Sequence, residues 1–306
     1  MKVLVATDKP FAAEAVKGIR EVIEKAGYEL ALLEKYTEKQ QLLDAVKDAH
    51  AVIIRSDIID AEVLDAAKEM EIVVRAGAGY DNVDLEAATQ CNVCVMNTPG
   101  QNANAVAELA LGMMVYACRN FFDGSSGTEL AGKTLGLHAF GNVGQHVARI
   151  AKGFGMKVYA FDPYCSDEVM DKAGVVALHS AEELYATCQY VSLHIPATAE
   201  TKQSINYALL SKMPKKAVLI NTARKEVVNE PGLVQLMEER SDFKYMTDVE
   251  PGNHKDMIAK FSGRYFSTPK KMGAQTAEAN NNAGLAAAKQ IVDFFQNGNQ
   301  QFRVNK

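Results

Sequence analysis

Short β-branched runs alternate with longer amphipathic stretches along nearly the whole chain, and this alternation narrows the fold more than any other feature. It is the pattern of parallel sheets covered by helices. Residues 2–6, 29–33, 51–54, 72–74 and 93–95 read as strands, and residues 10–26, 38–47, 61–68 and 85–90 as the helices between them. A second series of strands follows at 134–138, 157–160, 189–193, 217–220 and 245–247. Between the two lies a stretch from 102 to 122, apolar at helical spacing through Ala107, Leu111 and Val115, and then the turn-rich run Asp123-Gly124-Ser125-Ser126-Gly127. Residues 276–296 read as a closing helix. A chain of 306 residues is longer than one core usually grows, so two α/β domains are expected.

Composition removes several classes of function. The chain is 48% hydrophobic and 23% charged, ordinary for a globular protein, and its net charge of −5 argues against a nucleic-acid binder. Strand-like sequence begins at Lys2, no apolar run is long enough to span a bilayer, and a cytoplasmic location is expected. Five cysteines do not form a disulfide framework in a chain of this length. Cys91 and Cys94 form a C-x-x-C, but they fall in an apolar strand-like run with no second Cys or His pair nearby. Buried structural thiols are expected there, with redox or metal chemistry as the competing reading. No metal is expected.

The run Thr134-Leu135-Gly136-Leu137-His138 leads into Ala139-Phe140-Gly141-Asn142-Val143-Gly144 at the start of an amphipathic helix. This is the dinucleotide fingerprint with alanine in place of its first glycine. Gly141 lets the backbone approach a pyrophosphate at the helix N-terminus, with Asn142 and Val143 alongside, and Gly144 lets the helix pack on the strand. Asp162 ends the next strand at the spacing of an acid that bonds the ribose hydroxyls. A carboxylate there repels a 2′-phosphate, so NAD is expected rather than NADP. The competing reading is a tight strand-to-helix turn with a solvated Asp162.

Several further runs resemble the D-2-hydroxyacid dehydrogenases, in that family's order and over nearly the whole chain. They are Arg75-Ala76-Gly77-Ala78-Gly79-Tyr80-Asp81-Asn82-Val83-Asp84, Val95-Met96-Asn97-Thr98-Pro99-Gly100, Val106-Ala107-Glu108, Gly127-Thr128-Glu129-Leu130-Ala131-Gly132-Lys133-Thr134, His194-Ile195-Pro196 and Ile220-Asn221-Thr222-Ala223-Arg224. The resemblance implies two Rossmann-like doubly wound parallel-sheet α/β domains with a cleft between them. It makes residues 1–97 and 280–306 a discontinuous substrate domain and residues 98–279 the NAD domain. It implies a homodimer, a cofactor loop at His194, Ile195 and Pro196, and further cofactor contacts at Thr222, Ala223 and Asp248. The backbone of Gly77, Ala78 and Gly79 is implied to hold a substrate carboxylate, and Arg224 to be the catalytic arginine.

The residues carry a parallel reading. Arg224 follows an apolar strand and a Thr-Ala turn, where a guanidinium can grip a carboxylate and polarise an adjacent oxygen; a surface ion pair is the alternative. Arg55, next to Ser56, and Arg75 both end strands of the first domain and suit a phosphate or carboxylate, unless one pairs with Asp57.

One departure matters for chemistry. The family's Thr-Pro-His segment is here Thr268-Pro269-Lys270-Lys271-Met272-Gly273-Ala274 and contains no histidine, and the alignment places Lys271 in its position. The run resembles the lysine variant found among short 3-phosphoglycerate dehydrogenases, which implies 3-phosphoglycerate as the small-molecule substrate. Glu250 is the candidate supporting carboxylate and His254 the fallback acid or base. Burial and the charge of Arg224 are expected to lower the Lys271 pKa. No regulatory domain is expected after the closing helix. Two rivals stay open: a dehydrogenase for another 2-hydroxy acid such as glycerate or lactate, and a non-catalytic NAD-sensing protein of the same fold.

Overall fold

A computed structural model describes all residues, Met1 to Lys306, and divides them into two compact units, Met1–Asn102 with Thr276–Lys306, and Ala103–Gln275. Both are α/β units built on an all-parallel sheet.

The first unit runs β1 (Lys2–Thr7), α1 (Ala13–Lys25), β2 (Glu29–Glu34), α2 (Lys39–Ala45), β3 (Ala51–Ile54), α3 (Ala61–Ala66), β4 (Ile72–Arg75), α4 (Leu85–Gln90) and β5 (Cys94–Asn97). The sheet order is β2-β1-β3-β4-β5, so the chain reverses direction across the sheet between β1 and β3. Strands buried on both faces explain the near-continuous apolar runs. Val3, Val5, Ile53, Val74 and Met96 pack on one face, while Leu4, Ala6, Val52, Ile54 and Val95 pack on the other, against α2 and α3. Helix starts are written locally: Asp60 and Asp84 each accept a backbone N–H three residues on, capping α3 and α4.

The second unit opens with α5 (Ala103–Cys118) and continues through β6 (Thr134–His138), α6 (Asn142–Gly153), β7 (Lys157–Phe161), α7 (Asp167–Lys172), β8 (Val176–Ala177), α8 (Ala181–Thr187), β9 (Tyr190–Leu193), α9 (Tyr207–Leu210), β10 (Val218–Asn221), α10 (Glu230–Glu239), β11 (Lys244–Thr247), α11 (His254–Lys260) and β12 (Tyr265–Ser267). Its sheet order is β12-β11-β10-β9-β6-β7-β8, doubly wound about β6 and β9. Two short edge strands, β8 and β12, lie outside the runs the sequence marks as strands.

The chain then returns to the first unit in α12 (Ala277–Asn297), capped by Thr276 and closed by Gly298 in the left-handed conformation. Small residues let α12 approach α1: a Cβ on Gly284 would lie 2.9 Å from Ile19 Cδ1. The tail is tied down by Asn305, whose amide exchanges hydrogen bonds with Val95, Val93 and Thr89. No helix is long and apolar enough to cross a membrane. All five cysteines are free, and Cys91 corrects the expectation of two buried thiols: it caps α4 and is exposed, while Cys94 in β5 is buried.

Candidate functional site

In the second unit the fingerprint turn joins β6 to α6. Ala139 has φ 84°, the left-handed conformation that the missing glycine normally supplies, so alanine occupies it under strain. Gly144 is required by contact, because a Cβ there would lie 2.5 Å from the Ala139 carbonyl oxygen. Gly141 is different: it is the N-cap of α6, its φ of −75° suits any residue, and a Cβ would meet nothing within 4 Å. The opening at the uncapped N-terminus of a twelve-residue helix is therefore kept by the absence of a side chain, the arrangement that receives a pyrophosphate.

Asp162 follows β7 and is locked onto this turn. Its Oδ2 accepts the Phe140 N–H at 2.8 Å and its Oδ1 the Tyr164 N–H at 2.9 Å. It stands in the wall of a cavity of about 790 Å³ with Ala139, Phe161, Ile195 and Pro196. This volume is ample for the larger part of a dinucleotide, and the carboxylate, the open helix end and the apolar wall fit one together. His194 lies just past β9, its N–H bonded to the His138 carbonyl and its Nε2 sealed without a partner. Thr222 Oγ1 is likewise sealed and unpartnered, in the turn after β10.

Two residues outside the expected set belong to this region. His138 lines the cavity, and its Nδ1 lies 3.2 Å from the hydroxyl of the fully buried Tyr185. A buried hydroxyl with the imidazole as its partner donates to it, since the reverse would strand its proton; the neutral ring then carries its own proton on Nε2. Burial holds the His138 pKa down to about 4, against the opposing pull of Asp162. Burial, followed by the nearby His138, holds His194 down to about 3. His138 and Tyr185 belong to no sequence motif; the one sign of His138 is its place at the carboxyl end of β6, beside the strand that leads into His194.

Arg224 is half-buried at the end of a turn that Asn221 organises: the Asn221 amide donates to the Arg224 carbonyl at 3.0 Å and accepts the Ala223 N–H at 3.0 Å. The Arg224 guanidinium donates to the Ala223 carbonyl at 2.9 Å, and no carboxylate lies within ion-pair distance. Lys271 is exposed rather than buried, in the turn between β12 and α12. Asp248, expected at the cofactor, is 1% exposed and directed onto that turn, where it accepts the Met272 N–H at 2.7 Å and the Gly273 N–H at 2.8 Å. Glu250 is exposed. His254 is bonded through Nδ1 to the Tyr265 hydroxyl at 2.7 Å, a structural contact between α11 and β12.

In the first unit, Arg55 at the end of β3 is half-buried. Its guanidinium donates to the carbonyls of Lys9 at 3.0 Å and Pro10 at 3.4 Å and to Asn280 Oδ1 at 2.6 Å, and stands 5.3 Å over the Phe11 ring. Asp57 is not its ion-pair partner; that carboxylate takes the N–H groups of Asp8 and Arg55 and the Tyr36 hydroxyl. Arg75 donates Nε to the Arg55 carbonyl at 3.0 Å and its guanidinium lies over Gly77, φ 151°, where a side chain would be strained and would displace it. The following loop is fixed by Asn97, whose amide donates to the Ala78 carbonyl at 2.7 Å, leaving Ala78 exposed, with Gly79 partly so, and Ser56 exposed nearby in sequence to Arg55.

Comparison with known proteins agrees with this geometry. Residues 119–263 match the model of the D-isomer specific 2-hydroxyacid dehydrogenase NAD binding domain. D-3-phosphoglycerate dehydrogenase of Methanocaldococcus jannaschii is 34% identical over 306 residues, covering 95% of this chain and 57% of that protein. The chain thus spans little more than half the length of that relative. Hydroxypyruvate reductase of Thermotoga maritima is 32% identical over 281 residues, covering 86% of this chain and 90% of its own. Among solved structures, the NAD+-bound 3-phosphoglycerate dehydrogenase of Entamoeba histolytica superposes with a TM-score of 0.89 at 50% identity, covering 100% of this chain and 99% of that one. The chain belongs to the D-2-hydroxyacid dehydrogenase family.

Proposed function

We propose that the protein oxidises 3-phosphoglycerate at C2 to 3-phosphohydroxypyruvate with NAD, the entry step of L-serine synthesis. The observation that carries this reading is a half-buried guanidinium in each unit, Arg55 in the first and Arg224 in the second, each held by neutral oxygens with no carboxylate in ion-pair range. Each such charge suits an anionic group of a substrate. The likeness to the Entamoeba enzyme along its full length supports the same substrate.

Bound NAD supplies the hydride acceptor. Gly141, Asn142, Val143 and Gly144 would hold its pyrophosphate, Asp162 its ribose, and His194, Ile195, Pro196, Thr222 and Ala223 its remaining surface. Arg224 binds the substrate carboxylate and polarises the C2 oxygen, helped by the backbone of Gly77, Ala78 and Gly79. Arg55, with Ser56 and Arg75, takes the phosphate. Lys271 in its neutral form removes the C2 hydroxyl proton, and Glu250 is its supporting carboxylate. An ammonium cannot accept that proton, so oxidation rises toward alkaline pH while the reverse reduction favours lower pH. The family resemblance extends the reading to a cytoplasmic location and to a homodimer, and light scattering of the purified protein tests the dimer.

Hydroxypyruvate reduction is the second reading, favoured by the Thermotoga relative. Lys271→Ala tests the chemistry: turnover should fall roughly 10²- to 10⁴-fold with NADH binding retained. Near-normal turnover, with collapse instead in Lys270→Ala or His254→Ala, would assign the proton to another group. A wild-type protein that binds NADH but turns over no 2-hydroxy acid would be a sensor and not an enzyme.

A further inference from the structure

We propose that His138 reads the base of the cofactor, donating its Nε2–H to a ring nitrogen of adenine. This rests on the reading of the cavity beside Asp162 as the seat of the cofactor's adenosine half. The strand β6 ends on this imidazole, and parallel pairing sets it opposite Phe161, the residue before Asp162. A base carried by a ribose at Asp162 is thus one strand away from His138. The imidazole packs against the rings of Phe161 and Tyr185, with centroids 5.7 and 5.8 Å away.

The two ring nitrogens have different fates. Nδ1 is taken by the Tyr185 hydroxyl at 3.2 Å, which leaves the ring proton on Nε2. Nε2 makes no hydrogen bond within the protein, yet it is not sealed as the Nε2 of His194 is. On a side chain that is 8% exposed and lines the cavity, that opening leads into the cavity. Burial keeps the ring neutral, so it offers one directed N–H and no charge for a phosphate. A donor fixed in this way is matched only by an acceptor, and leaving it unmatched is costly. The two polar groups therefore sort the ligand: the Asp162 carboxylate accepts and suits ribose hydroxyls, whereas His138 donates and suits a base whose ring nitrogens accept. Ala139, Phe161 and Ile195 supply the apolar wall that a flat ring needs.

AMP displacing NADH, followed by NADH fluorescence, isolates the adenosine half. Deaza analogues of AMP, each lacking one ring nitrogen, are the probes. One of them should bind the wild-type protein roughly 3- to 10-fold more weakly than AMP, the scale of one neutral hydrogen bond. His138→Phe should weaken AMP by a similar factor and erase the difference between AMP and that analogue, because both changes remove the same bond. His138→Leu, which matches Leu135 and Leu137 of the same strand, serves if the phenylalanine does not fold. Analogues that all bind within about twofold of AMP would overturn the proposal. So would a difference that persists in the variants, the result a purely structural histidine gives. Asp162→Ala separates the two levels. Unchanged AMP affinity there would move the adenosine half out of this cavity and sink the underlying reading, whereas weakened AMP without analogue discrimination would remove His138 alone.

Discussion

Two glycines three residues apart should respond to the same substitution in opposite ways. At Gly144, a new methyl would sit 2.5 Å from the Ala139 carbonyl oxygen, a backbone atom that cannot swing aside. Helix α6 must shift from the strand, and such overpacking costs typically 1 to 3 kcal/mol, a roughly 2 to 10 °C fall in melting temperature of that unit. At Gly141, φ is −75° and the methyl meets nothing, so Gly141→Ala should leave the stability of the free protein within about 1 kcal/mol of wild type. Its effect should appear on the ligand. If the opening holds a pyrophosphate, the methyl displaces it from at least one amide, and losing one charged hydrogen bond of about 1.5 to 3 kcal/mol weakens NADH roughly 10- to 100-fold. Thermal melts without cofactor and NADH titration of both variants read the two effects separately. Gly141→Ala melting as early as Gly144→Ala, or binding NADH normally, would refute the assignment of open space to the cofactor.

Further outcomes follow from individual contacts. Asp162→Ala should raise the KM for NAD and narrow the gap to NADP; an unchanged preference would place selectivity elsewhere. Arg55→Ala should weaken 3-phosphoglycerate more than glycerate, by about 1.5 to 3 kcal/mol in kcat/KM, and equal losses for both would remove Arg55 from the phosphate. His138 has a folded pKa of about 4 against 6.5, so the unfolded chain binds protons first as pH falls. Stability contributed by the neutral ring is therefore intact above pH 6.5 and declines toward pH 4, by on the order of 3 kcal/mol. Denaturant melts of His138→Phe should show a shallower acid dependence than wild type, and parallel curves would mean that other groups dominate.

The parallel architecture was legible because strands buried on two faces need apolar residues at successive positions, as in Ala51–Ile54 and in Val218, Leu219 and Ile220, all of them buried. Strands β8 and β12 escaped because two or three residues hold no periodicity, and only pairing to β7 and β11 defines them. Ala139 was readable as a departure, but its left-handed backbone was not, since propensity would place alanine elsewhere. The site was legible where a motif is local, as in 139–144. It was not where two groups meet across the sequence: Asp248 and Gly273 are joined by the pairing of β11 with β12, and His138 and Tyr185 by packing of α8 on β6. The expected burial of Lys271 relied on surroundings that no nearby sequence encodes, and the residue is exposed.

The central claim is tested most directly by initial rates of NADH formation from 3-phosphoglycerate, glycerate and lactate, measured side by side on the wild-type protein at alkaline pH. The account predicts that 3-phosphoglycerate has the highest kcat/KM, by at least the roughly tenfold that one charged phosphate contact supplies. An equal or higher kcat/KM for glycerate or lactate would contradict it.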